Sequence, residues 1–545
     1  MGKHGLQKTL PSILLAFVML FTMLLQGCLR EQPEDIEPAE TGDPPVFSDT
    51  ADTFYITPNQ RGIFTLRYNP DSTVNPITGM NSDNILLSSL IYESLFSLDS
   101  SLIAEPVLCK SWTVEENTMF AFELKPDIAF SDGSFLTASD VVYTYNQAMQ
   151  RGRFTNRLSN IDKVSVDEED DLTVIFKLKS PNRRFTSLLD IPVIKSGSID
   201  ERVPPGTGPY IFSGNDVMRL ERFKDHRDYE RLPVYAVFLM VCSDDEAAEL
   251  FEDGKLSLLW DDPSDTYDIR LNRVHEKRYY DTTALQFIGF NTRSPVLQDA
   301  DVRRAIGTTI DREFIVNEIM QGSAVVAYYA LSPVYEYYND QWQWISTHID
   351  PQRGISALFD RAGLEDNDND SYLEYPVGNG SFAKFSLDFI VNSENQYKVR
   401  AAHLIASALR RTGISVSVRE LPWDNFIAAL EAGSFDLYYG EVVLSADFDL
   451  SALLLPGGKL NYGRTGSSEY RSLLDDFHCA ETAAQEQAAA SALCESVMYF
   501  SPFSPVLYKK YAVYSPMGAI AGASPSQSGV FRMIQDWTID LTMIR

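Results

Sequence analysis

Phe120-Ala121-Phe122-Glu123-Leu124-Lys125-Pro126, leading within a few residues to Phe130-Ser131-Asp132-Gly133-Ser134-Phe135-Leu136-Thr137-Ala138-Ser139-Asp140-Val141-Val142-Tyr143, decides how this chain is read. Phe120, Phe122 and Leu124 alternate with Ala121, Glu123 and Lys125, the period-2 pattern of a strand with one buried face, and Pro126 ends it. Ser131-Asp132-Gly133 supplies a short polar side chain and a residue tolerant of positive φ, as a turn between extended segments requires. Thr137 can then cap a helix in a capping box with Asp140, and Val141, Val142 and Tyr145 give that helix its apolar face. The order is strand, turn, capped helix.

Working outward, Tyr92-Glu93-Ser94-Leu95-Phe96 and Glu105-Pro106-Val107-Leu108-Cys109-Lys110-Ser111-Trp112 lie just upstream. Trp112 reads as core, because a large aromatic contributes mainly buried area. A helix is expected over 86–95. Downstream, Pro205-Gly206-Thr207-Gly208-Pro209-Tyr210 is a tight turn entering a strand, and it lacks the GxGxxG continuation or GK[ST] ending of a nucleotide loop. The last third alternates: strand at 385–391, helix at 397–411, strand at 416–419, helix at 423–431, strand at 435–443. That rhythm predicts a mainly parallel sheet covered by helices. Ligands bind outside the carboxyl ends of such strands, so the loop Leu444-Ser445-Ala446-Asp447-Phe448-Asp449 is the site candidate.

Taken together, these segments resemble the family 5 solute-binding proteins that deliver peptides and similar solutes to ABC importers. The family pattern runs YExL, PxLAxSW, FxLRxxxxFxDGxPxTAxDVxY; here Cys109 stands for its Ala, Lys125 for its Arg and Phe135 for its Pro. Gly206-Thr207-Gly208-Pro209-Tyr210 and Ala300-Asp301-Val302-Arg303-Arg304-Ala305-Ile306 resemble two further parts of it. The resemblance implies an α/β, two-lobed periplasmic-binding-protein-like fold of type II, in the large peptide-binding cluster, with a hinge between the lobes. Lobe 1 would take residues 54–285, with a subdomain at about 97–203; lobe 2 would take 286–504, and 505–545 would return to lobe 1. It also implies a loop like GWxADYxxP, whose Asp accepts hydrogen bonds from a peptide's N-terminal ammonium. Asp447 matches that Asp, with Ser445 and Val443 beside it, and Asn81 and Asn84 correspond to the other side of the cleft. The alternative for Asp447 is a cap on a helix over 450–455.

The chain has 545 residues, 44% of them hydrophobic, enough for two or three lobes with cores of their own. A net charge of -30 argues against nucleic acid, whose phosphates would repel it. Residues 1–28 read as a lipoprotein signal peptide: Lys3 and Lys8 precede an apolar run too short to serve comfortably as a permanent span, and Leu25-Gln26-Gly27-Cys28 resembles a lipobox. Lipidated Cys28 would hold the chain on the outer face of a bacterial cytoplasmic membrane, and 29–53 reads as an acidic, proline-rich tether. Cys479 and Cys494 are close enough in sequence for a disulfide; four free thiols are the alternative. The run Asp366 to Asp370 departs from an EF-hand at Ser371 and Val377, so a solvated acidic turn without a metal is the expectation and a calcium site the alternative.

There is no HExxH, GxSxG, GxxxxGK[ST] or CxxC, and the six histidines show no metal-ligand spacing. The expectation is a non-enzyme without cofactor: a monomer that captures oligopeptides or similar solutes and hands them to ABC permease and ATPase subunits. An orphan sensor or adhesion lipoprotein on the same fold is the first alternative. A secreted hydrolase built from scattered residues is the remote one.

Overall fold

Phe120, Phe122 and Leu124 form the inward face of the strand Met119–Leu124, each at most 1% exposed. The computed structural model describes residues 63–213, 218–264, 269, 271–339 and 354–544; the signal segment with Cys28 and the 29–53 tether lie outside them. The strand sits in a four-stranded antiparallel sheet in the order Cys109–Glu115, Met119–Leu124, Thr173–Leu178, Ile161–Val166. Asp132 Oδ1 accepts from Ser134 N at 2.9 Å, and Gly133 takes φ +84° to complete the turn. The helix Ala138–Gln150 follows, with Thr137 N donating to Asp140 Oδ2 at 3.0 Å and Val141 and Tyr145 fully buried. Trp112 corrects the core reading. It is 41% exposed on the edge strand Cys109–Glu115, its ring edge-on to Phe96 at 5.2 Å. An edge strand pairs on one side only, and here Cys109 alone of its seven residues is buried.

A second four-stranded sheet pairs Phe64–Arg67 in parallel with Ala236–Met240, then adds Arg219–Arg222 and Tyr210–Ser213 antiparallel. The helix beside it runs Ser82–Ile91, four residues earlier than the apolar spacing indicated. Asn81 caps it, accepting from Asn84 N at 3.1 Å. The helix stops where the Gly206–Gly208 turn meets it: Gly208 N donates to Ile91 O at 2.8 Å, and a Cβ on Gly208 would lie 2.4 Å from Ile91 C. Backbone cannot yield as a side-chain end can, so Gly208→Ala should destabilise the fold by about 1–3 kcal/mol, seen as a lower urea midpoint at unchanged slope.

The third sheet joins the two lobes. Its order is Leu259–Asp261, Phe503–Pro516, His275–Phe290, Leu437–Val443, Ser386–Asn392, Ser415–Leu421, with Ala324–Val326 also against Phe503–Pro516. The last three strands of the order are mutually parallel, as expected, but His275–Phe290 and Phe503–Pro516 are antiparallel, so the sheet is mixed and not mainly parallel. The sequence hides the first half of His275–Phe290 because it is charged and only partly covered. Tyr280 and Val513 belong to the core of the first lobe, whereas Ile288, Phe290, Val506 and Leu507 belong to that of the second. These two strands are the crossings. Their ladder breaks between Asp281 and Leu285, where Thr282 Oγ1 donates to Lys509 O at 2.7 Å and Thr283 Oγ1 to Leu444 O at 2.6 Å. Cys109, Cys242, Cys479 and Cys494 are all free thiols, which removes the Cys479–Cys494 disulfide. No helix among the described residues is long and apolar enough to cross a membrane.

Candidate functional site

Parallel pairing brings the carboxyl ends of three strands to one edge: Asn392 lies opposite Leu421, and the strand ending at Val443 runs beside them. Val443 is 58% exposed there. Trp423, which begins the helix after the Leu421 strand, is 49% exposed and stacks on Phe426 with centroids 6.1 Å apart. Large apolar side chains left open at strand ends form a surface that a ligand can cover.

The loop beyond Val443 turns inward. Asp447 is 4% exposed; Ser445 Oγ donates to its Oδ1 at 2.5 Å and Asn182 Nδ2 to its Oδ2 at 2.8 Å. Tyr335 OH fixes the loop by donating to Ser445 O at 2.6 Å. The cap reading of Asp447 is set aside, because Asp449 Oδ1 takes the Ser451 N–H at 2.8 Å at the start of the helix Ser451–Leu454. Asn182 comes from the first lobe, and its neighbours also cross. Arg183 N donates to His478 O at 3.0 Å, Arg184 Nε to Glu486 Oε1 at 2.8 Å, and Arg184 pairs with Glu336 as well. Glu486, 3% exposed, also receives Arg183 Nε at 3.3 Å.

Asn81 and Asn84 need correction as site residues. Asn84 is 1% exposed, its Nδ2 donating to Asn69 O at 2.9 Å and Ser72 O at 3.1 Å while its Oδ1 accepts from Asn69 N. With Asn81 as the helix cap, both amides hold the chain's own backbone, and among the described residues neither bonds to the 443–447 loop.

Behind the strand edge lies a buried charge cluster. Lys509, 3% exposed, pairs with Asp262 and with Glu441 at 3.2 Å; Glu441 pairs also with Lys398 at 2.8 Å and accepts from Gln286 Nε2 at 3.0 Å. Each member comes from a different segment, so the cluster ties both crossings to the second lobe. Burial alone would raise the Glu441 carboxyl, but Lys398 and Lys509 outweigh it and hold it at about 2. A depressed acid contributes stability that is complete above its unfolded value, about 4.3, and is lost as pH falls through its folded value. Glu441 should therefore sustain about 3 kcal/mol of stability that disappears between about pH 4 and 2, and Glu441→Gln should flatten that limb of a stability-versus-pH curve.

Asp366, Asp368, Asp370 and Glu374 converge with carboxylate oxygens within 4.8 Å of one another, an arrangement that could hold a metal ion although none was expected. Asp366 and Asp368 accept loop N–H groups, Asp370 pairs with Lys384 at 3.1 Å, and Glu374 accepts from Asn367 N at 2.7 Å. Sequence reasoning missed Asn182, Arg184, Glu486 and Lys509. Asn182 lies 265 positions from Asp447, and no local periodicity encodes such a pairing.

Comparison with known proteins extends this picture. The model described as "Bacterial extracellular solute-binding proteins, family 5 Middle" matches residues 104–460. The oligopeptide-binding protein AppA of Bacillus subtilis is 22% identical over 377 residues, which cover 64% of this chain and 67% of that one. Heme-binding protein A of Haemophilus influenzae is 22% identical over 475 residues, covering 76% and 82%. Among solved structures, the ABC transporter substrate-binding protein CtaP of Listeria monocytogenes aligns with a TM-score of 0.71 at 18% identity, over 88% of this chain and all of that one, which supports the fold.

Proposed function

Since the chain belongs to family 5 of the bacterial extracellular solute-binding proteins, we propose that it captures oligopeptides and delivers them to an ABC permease driven by partner ATPases. The family works outside the cytoplasm on peptides or other small solutes; the finer assignment is ours. One observation carries it: a carboxylate, Asp447, stands on the loop beyond the exposed carboxyl end of a parallel strand and is reached from the opposite lobe. In our reading Asp447 receives the cationic end of the solute, Ser445 orients it, and Val443 begins the wall along which the peptide backbone extends. A backbone-paired ligand gains affinity without strict side-chain selection. Lobes bounded at 54–285, 286–504 and 505–545 would close about the two crossing strands, and acylated Cys28 would keep the chain at the membrane.

Oligopeptide ligands are favoured over heme because Asp447, on the loop beyond the strand, can receive a cationic group and the strand backbone can pair with an extended ligand. The test is a thermal shift of the chain with a pool of short peptides, with N-acetylated peptides and with heme. The peptide pool should raise Tm and acetylation should abolish the rise; a response to heme alone would replace the ligand class.

A further inference from the structure

We propose that Asn182-Arg183-Arg184 is a latch between the lobes, and that the Asn182 amide stands in at Asp447 for the cationic end of the solute. The second half of this inference rests on the reading of Asp447 given above; the first half does not. Three consecutive residues each reach the second lobe. Asn182 holds Asp447, the Arg183 backbone holds His478 while its side chain reaches Glu481 O at 2.9 Å, and Arg184 holds the buried Glu486. A fourth residue, Asn117, adds a contact from its Nδ2 to Ala480 O at 3.3 Å.

All of these contacts are polar or charged. The same subdomain is joined to its own lobe by apolar packing, with Leu108, Phe120, Phe176 and Phe185 in one core with Tyr92, Leu95 and Tyr210, while Leu98 and Leu102 at its start share an apolar core with the second lobe, away from the Asn182 segment in sequence. Opening an apolar contact exposes area to water, whereas a polar contact exchanges its partners for water at small net cost. The core is therefore the permanent attachment, and the Asn182 segment is the one able to part and re-form.

A buried carboxylate without donors is costly, so something must satisfy Asp447 whenever the cleft is closed without solute. Asn182 does this at Oδ2 with a neutral N–H, while the Ser445 hydroxyl serves Oδ1. An ammonium is the stronger partner for a carboxylate, so an entering solute displaces the amide. The Arg184–Glu486 pair remains to hold the lobes together on that flank. Affinity then measures the solute against Asn182, which makes Asn182 a specificity-determining residue.

Asn182→Asp is the informative variant. It keeps the Oδ1 that accepts from Arg184 N at 3.0 Å, so the local turn is retained, while a carboxylate oxygen replaces the donor to Asp447. Hydrogen exchange of the full chain without peptide should show amides of 180–184, 444–449 and 478–482 exchanging about tenfold faster than in the wild type, with those of 119–124 unchanged. Calorimetry should show trialanine binding about fivefold tighter, and N-acetyl-trialanine no tighter. Asn182→Ala should move both readouts the same way, and replaces the Asp variant if that one misfolds. Unchanged exchange in the three segments overturns the latch. Faster exchange with trialanine binding unchanged or weaker leaves Asn182 a strut and overturns the stand-in. If trialanine binds neither protein, the reading of Asp447 and the stand-in fail together, and exchange alone decides the latch.

Discussion

Lys509→Met should destabilise the protein by about 3–5 kcal/mol, the largest loss expected from any single polar substitution here. Lys509 is the shared partner of Asp262 and Glu441 at 3% exposure, so its removal leaves one buried carboxylate without a cation and the other with Lys398 alone. Two carboxylates would then share a poorly solvated space, and one must take up a proton or draw in water. Urea unfolding followed by circular dichroism measures the loss. The double variant Lys509→Met with Asp262→Asn should recover part of it, because the second change removes the orphaned charge. Equal stability of the single variant and the wild type would mean that water already solvates the cluster.

Asp447→Asn should weaken binding of a peptide with a free N-terminus about tenfold, since a charged acceptor facing an ammonium contributes about 1.5–3 kcal/mol against about 1 for a neutral pair. The contact with Asn182 is also weakened, because an Asn at 447 keeps one acceptor oxygen and turns an N–H₂ toward a donor. A modest fall in Tm, on the order of that single hydrogen bond, should therefore accompany the loss of affinity. Calorimetric titration of trialanine into both proteins separates the two effects. A fall in Tm with affinity intact would confine Asp447 to joining the lobes.

The fold was legible where physics is local. Alternation placed Phe120, Phe122 and Leu124 on a buried face, and the capping box at Thr137 and Asp140 formed as written. Trp112 misled because composition cannot tell an edge strand from a central one, and on an edge strand the outer face has nothing to pack against. His275–Phe290 was half hidden because a strand that passes between lobes changes environment midway, from partly solvated to fully buried. The site was legible in part: the loop after Val443 follows from the parallel strands, and Asp447 from the resemblance. Its partners did not follow. Asn182 and Glu486 meet their counterparts across about half the chain, and Lys509 acquires its meaning only when two crossings and a strand edge converge. Asn84 shows the reverse case, a polar residue before a helix whose amide is fully engaged by the loop that it closes.

In our proposal a solute is held between the lobes with its cationic end at Asp447. The most direct measurement is native mass spectrometry of the chain purified without refolding, followed by denaturation and identification of what is released, since closure slows the exit of a bound solute. A ladder of short peptides with free N-termini is expected from the wild type and none from Asp447→Asn. Release of the same peptides from both proteins, or of a solute without a cationic end, would contradict the proposal.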